Sequence, residues 1–266
     1  MLGCSSVLGL SSDQLKDIFL LYKRVTEQYR NPDILKILRS LIPDSIALQT
    51  KEDGNNIVYL LRWFKDDFMR WTPKDPICER CITAAEAHHY NCGISNSSAS
   101  RLAVGPMQSR IIIGNSWKMR KVEVFHCDNC NYEYTFPRYG EILKIAETKT
   151  GRCSEWSMLF GAMLSSLEIK ARIVHDFLDH CWNEAMLSQD GEWIHIDSTL
   201  DYPISLNHPY YYEENWRKEY EYVLAFSADR VEDVTQRYTL QWEAIQQRRL
   251  KNKKNAMDFQ KVYSGI

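Results

Sequence analysis

Apolar residues recur along this chain with the spacings of regular structure. From Trp156 onward they fall at Trp156, Leu159, Phe160, Met163, Leu164 and Leu167. Those offsets lie on one helical stripe, so a helix is predicted to start in the polar run Gly151-Arg152-Cys153-Ser154-Glu155. Leu15, Ile18, Phe19, Tyr22 and Val25 make a second stripe. Ser11 with Gln14 has the form of a capping box, and Asn31-Pro32 that of a cap followed by proline, so residues 11–42 read as two helices. Residues 55–71 read as an amphipathic helix whose Trp63, Phe64, Phe68 and Trp71 are core packing.

Further along, the period shortens to that of strands. Strands are predicted near 171–177, 180–187, 192–198 and 220–227, with Gln189-Asp190-Gly191 as a hairpin signal. If 180–185 is extended, His180, Trp182 and Glu184 share a face, and in the next run Trp193, His195 and Asp197 do. Residues 199–219 read as an aromatic-rich loop carrying Tyr210, Tyr211, Tyr212 and Trp216, either a stacking wall for sugar rings or surface anchoring. From Thr239 a helix is predicted, with Leu240, Ala244 and Leu250 among polar residues. Its basic run, Arg248 to Lys254, reads as a solvated helix end.

Composition narrows the class. The chain has 266 residues and a formal net charge of −2, so no general affinity for nucleic acid is implied. Its apolar runs are too short for a membrane-spanning helix, and its start lacks the basic region of a signal peptide. Of eight cysteines, four form two CxxC pairs, Cys78 with Cys81 and Cys127 with Cys130. Paired knuckles of this kind hold a tetrahedral structural zinc, and four thiolates leave it no open position for catalysis. Cys4, Cys92 and Cys181 are scattered, a usage that suits a reducing compartment. The sequon at Asn96 is then unused. Ala85 to Val104 reads as an inserted polar loop, within a longer loop over 82–121. Its His88, His89 and Cys92 are candidates for an extra ligand.

Cys153 falls in or beside the first turn of its helix, where unpaired backbone N–H groups and the dipole favour thiolate. His180 and Asp197 on neighbouring strands supply a base and a carboxylate to orient it, the set that nucleophilic catalysis needs. His195 rivals His180 as the base, since it shares a face with Asp197.

The ordered text around these residues closely resembles the cytoplasmic peptide:N-glycanases of the transglutaminase-like superfamily. The matching stretches are Phe136-Pro137-Arg138-Tyr139, Glu147 to Trp156, Asp179-His180-x-Trp182-x-Glu184 and Trp193-x-His195-x-Asp197-Ser198. Tyr222-x-x-Ala225-Phe226, Asp233-Val234-Thr235-x-Arg237-Tyr238 and both CxxC pairs complete the match, over roughly residues 30 to 240. The resemblance implies an α+β, papain-like fold with helices packed on an antiparallel sheet and a small zinc-knuckle subdomain. It divides the chain into an N-terminal helical region (1–75), a knuckle region with an inserted loop (76–135), a catalytic core (136–240) and a basic helical tail (241–266). It assigns Cys153, His180 and Asp197 to a catalytic triad, with His195 behind it and Trp156, Trp182 and Glu184 in support.

The implied activity is hydrolysis of the amide between an N-linked glycan and asparagine, on misfolded glycoproteins in the cytoplasm and the nucleus. The only cofactor implied is the structural zinc. Candidate partners are a ubiquitin shuttle factor or a proteasome component, with no nucleic acid and no membrane span. The length implies the minimal architecture, without added peptide- and mannose-binding domains. Two departures from the family text bear on the site: Ser154 follows the nucleophile where glycine is usual, and Thr199-Leu200-Asp201 replaces a Cys-Glu motif. A transglutaminase, a peptidase and a glycanase relative that binds without turnover remain alternatives.

Overall fold

The computed structural model describes residues 10–52, 57–82, 106–187 and 191–252. The expectations for Cys4, His88, His89, Cys92, the Asn96 sequon, the loop 85–104, Gln189-Asp190 and Lys253-Lys254 lie outside them. The chain forms two compact units, residues 71–139 and residues 1–70 with 140–266.

In the larger unit, α1 (Ser12–Gln28) and α2 (Pro32–Leu41) start as the sequence predicts. Gln14 N–H reaches Ser11 Oγ at 3.2 Å while Ser11 N–H reaches Gln14 Oε1 at 2.8 Å, and Asn31 Oδ1 caps the N–H groups of Asp33 and Ile34. An unpredicted α3 (Asp44–Glu52) follows. The predicted 55–71 helix is shorter than expected. It runs as α4 (Ile57–Trp63), widens into a π turn over Phe64–Phe68 and stops at Met69, which is extended. Phe64 and Phe68 are buried as predicted, whereas Trp71 is 50% exposed and is not core.

The 71–139 unit is built on a three-stranded antiparallel meander: β1 (Gln108–Ser116), β2 (Met119–His126) and β3 (Glu133–Tyr139). Part of the predicted 82–121 loop is therefore strand. Met107, Phe125 and Phe136 form a small core with Cys78 and Cys127. Arg138, one of the family-matched residues, is buried there against Glu123 at 3.0 Å.

Returning to the larger unit, α5 (Ile142–Thr148) leads into α6 (Cys153–Ser166). A five-stranded antiparallel sheet follows, made of β4 (Lys170–His175), β5 (Cys181–Met186), β6 (Trp193–Ile196), β7 (Leu224–Phe226) and β8 (Val231–Asp233) in the order β8-β7-β4-β5-β6. Residues 199–219 are not all loop, since Tyr211–Trp216 forms the short helix α7. The tail helix is α8 (Trp242–Lys251).

Pleating sorts the sheet's side chains into two layers. His175, Cys181, Asn183 and Phe226 face α1 and α6. Phe19 meets Phe226 edge-on at 5.3 Å, Tyr22 packs on His175, and Asn183 Nδ2 bonds Ser157 O at 3.0 Å. Val174, Trp182 and Ala225 lie on the opposite face with Tyr212 of α7, Tyr238 and Ile245 of α8. The α6 stripe is only part of that helix's burial, because every residue from Ser154 to Leu164 is buried. Small residues make this possible. A Cβ added at Gly161 would lie 2.5 Å from Tyr29 Oη and 2.8 Å from Asn183 Nδ2.

The tail docks by charge as well as by packing. Ile245 is its core residue, while Leu240 and Leu250 are 62% and 57% exposed. Arg248 donates to Tyr220 O at 2.9 Å and Arg249 to Glu221 O at 2.6 Å, and Arg249 also pairs with Asp233. These two arginines are therefore bound to the fold rather than part of a solvated end.

Candidate active site

Cys153 is the first residue of α6, and its position is set by the turn before it. Glu155 folds back so that its Oε2 accepts the N–H of Arg152 at 3.1 Å. Trp156 Nε1 donates to Gly151 O at 3.1 Å and its ring packs edge-on against Phe64 at 5.6 Å. A side chain at Gly151 would collide with Glu155 Cβ, at 2.4 Å, so glycine is required for this close approach. Trp156 thus anchors the start of the helix. Ser154 is buried within α6 and its hydroxyl donates to Glu155 Oε2 at 3.2 Å, so the hydroxymethyl bonds into the turn rather than disrupting it.

His180 is presented by a tight turn after β4. Asp176 Oδ1 accepts the N–H groups of Leu178, Asp179 and His180 at 2.9, 3.1 and 3.0 Å. Phe177 takes a left-handed φ of 56° inside this turn. Lys218 Nζ bonds Asp176 Oδ2 at 2.9 Å and also pairs with Asp179. Asp176 is fully buried. Burial alone would raise its carboxyl, and the charge of Lys218 outweighs that and holds it low. The strand itself starts at Cys181, so His180 sits at its mouth rather than within it.

Asp197 follows β6 and every one of its carboxylate contacts is directed. Oδ2 meets His180 Nε2 at 2.7 Å and accepts from Tyr212 Oη at 2.8 Å. Oδ1 accepts from the N–H and the hydroxyl of Thr199 at 2.9 and 2.7 Å. Thr199, the departure from the family text, is therefore an anchor for this carboxylate. His195 does not reach the reacting centre. Its Nε2 lies 2.7 Å from Tyr212 Oη, and its Nδ1 accepts His208 N–H at 3.2 Å. The only proton order that satisfies this chain runs from His195 Nε2–H to the tyrosine oxygen and from the tyrosine hydroxyl to Asp197. Burial keeps His195 neutral, with its pKa lowered to about 4, as that order requires.

The electrostatics follow from these contacts. Burial disfavours a charged His180, but Asp197 overrides it and pushes the imidazole up to about 10. Burial likewise opposes the Asp197 carboxylate, and His180 holds it well below the usual range. Cys153 is pulled down to about 5. The largest cause is a hydrogen bond from the Cys181 thiol, followed by the bond and charge of His180, against the cost of burial. At neutral pH the pair is thiolate and imidazolium. Because Nε2 is held by Asp197, Nδ1 is the nitrogen left for Cys153. Cys153 itself is half-buried, with Sγ 3.6 Å from Asp179 O.

The supporting residues divide. Trp182 lies under the site, stacked at 5.8 Å on His180 and at 4.6 Å on Tyr212. Trp216 of α7 meets the His180 ring edge-on at 5.0 Å and is 41% exposed, so part of the aromatic segment lies beside His180. Glu184 belongs elsewhere. It is buried against Arg172 Nε at 2.5 Å, Tyr238 Oη at 2.7 Å and Arg237 at 3.1 Å, a structural network facing away from Cys153. Sequence reasoning missed Asp176, Tyr212 and Cys181. The spacing of Asp176 four residues before His180 carries a turn signal, while the other two show only in space.

In the 71–139 unit the four knuckle cysteines come together, all Sγ atoms lying within 4.8 Å of one another. Cys78 and Cys130 are 3.6 Å apart, as are Cys81 and Cys127. Four thiolates about 2.3 Å from a tetrahedral ion stand about 3.8 Å from each other, so the cluster fits a structural metal.

Comparison with known proteins follows the same lines. Residues 114–198 match the transglutaminase-like superfamily and residues 178–265 the Rad4 transglutaminase-like domain. The chain is 33% identical over 223 residues to the peptide-N(4)-(N-acetyl-beta-glucosaminyl)asparagine amidase of Caenorhabditis briggsae, covering 83% of this chain and 34% of that protein. It is 36% identical over 209 residues to the amidase of the same description in Candida glabrata, covering 79% and 55%. For that of Yarrowia lipolytica the identity is 34% over 250 residues, covering 89% and 64%. The chain thus spans about a third to two thirds of the length of these curated relatives. Among solved structures it resembles Rad4 from the Rad4-Rad23 complex bound to a 6-4 photoproduct UV lesion, with a TM-score of 0.53, covering 94% of this chain and 53% of that one. A second likeness, to the Rad4/XPC nucleotide excision repair complex, has a TM-score of 0.54 and covers 96% and 56%. At 13% identity both speak for the fold.

Proposed function

We propose that this chain, which matches the transglutaminase-like superfamily over residues 114–198 and is similar over most of its length to the peptide-N(4)-(N-acetyl-beta-glucosaminyl)asparagine amidases, is a deglycosylating amidase. The observation that carries the reading is the Cys153, His180 and Asp197 set, with its 2.7 Å imidazole–carboxylate bond and lowered thiol. The Cys153 thiolate attacks the side-chain amide carbonyl of a glycosylated asparagine. First-turn N–H groups of α6 stabilise the oxyanion. His180 gives its Nδ1 proton to the departing glycosylamine and a thioester is left on the peptide. His180 then takes a proton from water, which attacks the thioester and releases an aspartate side chain. Asp197 holds the imidazole throughout, and Tyr212 and Thr199 hold Asp197.

We assign zinc to the cysteine cluster. Cys78, Cys81, Cys127 and Cys130 would bind it as four thiolates, a closed set suited to holding the 71–139 unit together. The substrate we propose is misfolded N-glycosylated protein in the cytoplasm and the nucleus. The free thiols of the six described cysteines accord with a reducing compartment. A ubiquitin shuttle factor or proteasome component is the proposed partner. Support for it is limited to the likeness in fold to Rad4, whose described complex contains Rad23.

The test is a mass-resolved assay on denatured, N-glycosylated ribonuclease. Wild type is expected to release the glycan and leave aspartate, and Cys153→Ala to do neither. Incorporation of a primary amine in place of water would show a transglutaminase, and a cut in the peptide backbone a peptidase. A folded, metal-loaded wild type that converts nothing would leave a binding protein.

A further inference from the structure

The thiol of Cys181 makes and breaks no bond in the amidase chemistry, yet it lies beside the nucleophile and lowers its pKa. Cys181 follows His180 in the chain and faces α6 from the start of β5. Ser157, one helical turn beyond Cys153 and on the same side of α6, donates its hydroxyl to Ser154 O at 3.1 Å, and its Oγ lies 3.5 Å from Cys181 Sγ. Cys153 Sγ lies 3.6 Å from the carbonyl oxygen of Asp179, two residues before Cys181, so both sulfurs are brought to the same end of α6, and Cys181 is the neighbour that most lowers the pKa of the Cys153 thiol. The two sulfurs differ in access, since Cys181 is 2% exposed and Cys153 is half-buried at the site. They differ in charge too. Burial, and after it the neighbouring Cys153, keep Cys181 protonated, whereas Cys153 is ionised. A reachable thiolate beside a sheltered thiol is the arrangement of a peroxide-reactive cysteine with its resolving partner.

We propose that the Cys153–Cys181 pair is a modification site for hydrogen peroxide, with Cys181 resolving the oxidised nucleophile as an intramolecular disulfide. The Cys153 thiolate attacks one peroxide oxygen and the O–O bond breaks. With a proton from the His180 imidazolium, the other oxygen leaves as water and Cys153 becomes a sulfenic acid, oxidised by two electrons. The Cys181 sulfur then displaces that oxygen. The S–S bond forms, the S–O bond breaks, and the hydroxyl leaves with the Cys181 proton as a second water. A dithiol reductant returns both thiols. The disulfide shields Cys153 from the sulfinic and sulfonic states, which such a reductant does not reverse. The inference rests on Cys153 being a reactive thiolate and not on the substrate it serves.

The full-length protein is exposed to hydrogen peroxide, quenched in acid, alkylated and digested without reduction. The expected product is a linked peptide pair containing Cys153 and Cys181, with wild-type activity restored by dithiothreitol. In Cys181→Ser, expected to keep the volume and the contact with Ser157, Cys153 is expected to gain two oxygens, and recovery to fall at least ~10-fold below wild type. Cys181→Val repeats the comparison without any hydroxyl. Wild type that accumulates sulfinic Cys153 while Cys181 stays alkylated overturns the proposal. So does equal recovery of wild type and variants. The mass measurement on wild type needs neither a folded variant nor deglycosylation, so its failure is distinct from failure of the amidase reading.

Discussion

The two units use cysteine in opposite ways. In the 71–139 unit four sulfurs converge within 4.8 Å, and the apolar core beside them is small. A metal bound there would supply stability that so small a core does not, and would consume the reactivity of all four thiols. Among the described residues of the larger unit the core is built without sulfur ligation. Cys153 sits on a helix whose next eleven residues are buried, and its thiol is left open to solvent on one side. A cysteine becomes structural when other cysteines satisfy it around an ion, and reactive when a rigid scaffold presents it to a histidine.

The widest test of that contrast exchanges single atoms in each unit. Cys153→Ala is expected to cost ~10³-fold or more in turnover with the thermal midpoint unchanged. Cys81→Ser is expected to release the metal, whose binding is coupled to folding by on the order of 10 kcal/mol, and to abolish hydrogen-exchange protection in β1 to β3. Bound metal per chain and exchange mass spectrometry read both. Equal protection in the metal-free variant would sink the distinction.

Asp197→Asn comes next. An amide can hold the ring but not favour its charge, and a loss of about 10⁴-fold is expected with little change in KM. A loss of ~10-fold or less would remove Asp197 from the orienting role.

The pH profile sharpens the same point. Turnover requires Cys153 ionised and His180 protonated, so the rate should rise through about pH 5 and fall above about pH 10. The sign for stability agrees. His180 is raised when folded, so its contribution is fully present below the ordinary imidazole range and is lost as pH rises through about 10. Asp197 is depressed, so its share is present above the ordinary carboxylate range and is lost as pH falls. A single limb near pH 7 would mean that the resting pair is neutral.

The smallest expected effect is that of Tyr212→Phe, which removes one oxygen from the chain between His195 and Asp197. About 1–3 kcal/mol of stability should be lost for the buried donor left unpaired, with kcat falling more than KM rises. Unchanged kcat with lowered stability would make the tyrosine purely structural.

Much of this was legible in the chain. The caps of α1 and α2, the α6 stripe and the two CxxC pairs are local patterns, and local patterns survive into the fold. Alternation puts His180 and Asp197 on neighbouring strands, and it is the family text that prefers His180 to His195 as the base. What was missed is non-local. The Asp176–Lys218 strap spans 42 residues and the Tyr212–Asp197 bond 15, and no periodicity announces either. The shared strand face and the family text place Glu184 near the base, but it lies two residues beyond Trp182 along β5, directly opposite Arg172, and pairs with it there. The 55–71 helix was overextended because the apolar pattern runs through the π turn that ends it.

Gly161 lies eight positions beyond Cys153, about 12 Å along the axis of α6, and touches nothing that reacts. With the Tyr29 hydroxyl only 2.5 Å from where a side chain would begin, it acts as the notch of a key. The helix can be seated at one depth only, and the depth at the notch is the depth at the thiol. A library screened for folded protein alone would accept alanine at Cys153 and reject it at Gly161. One screened for turnover would reject both, the first for lost chemistry and the second for a nucleophile held at the wrong address.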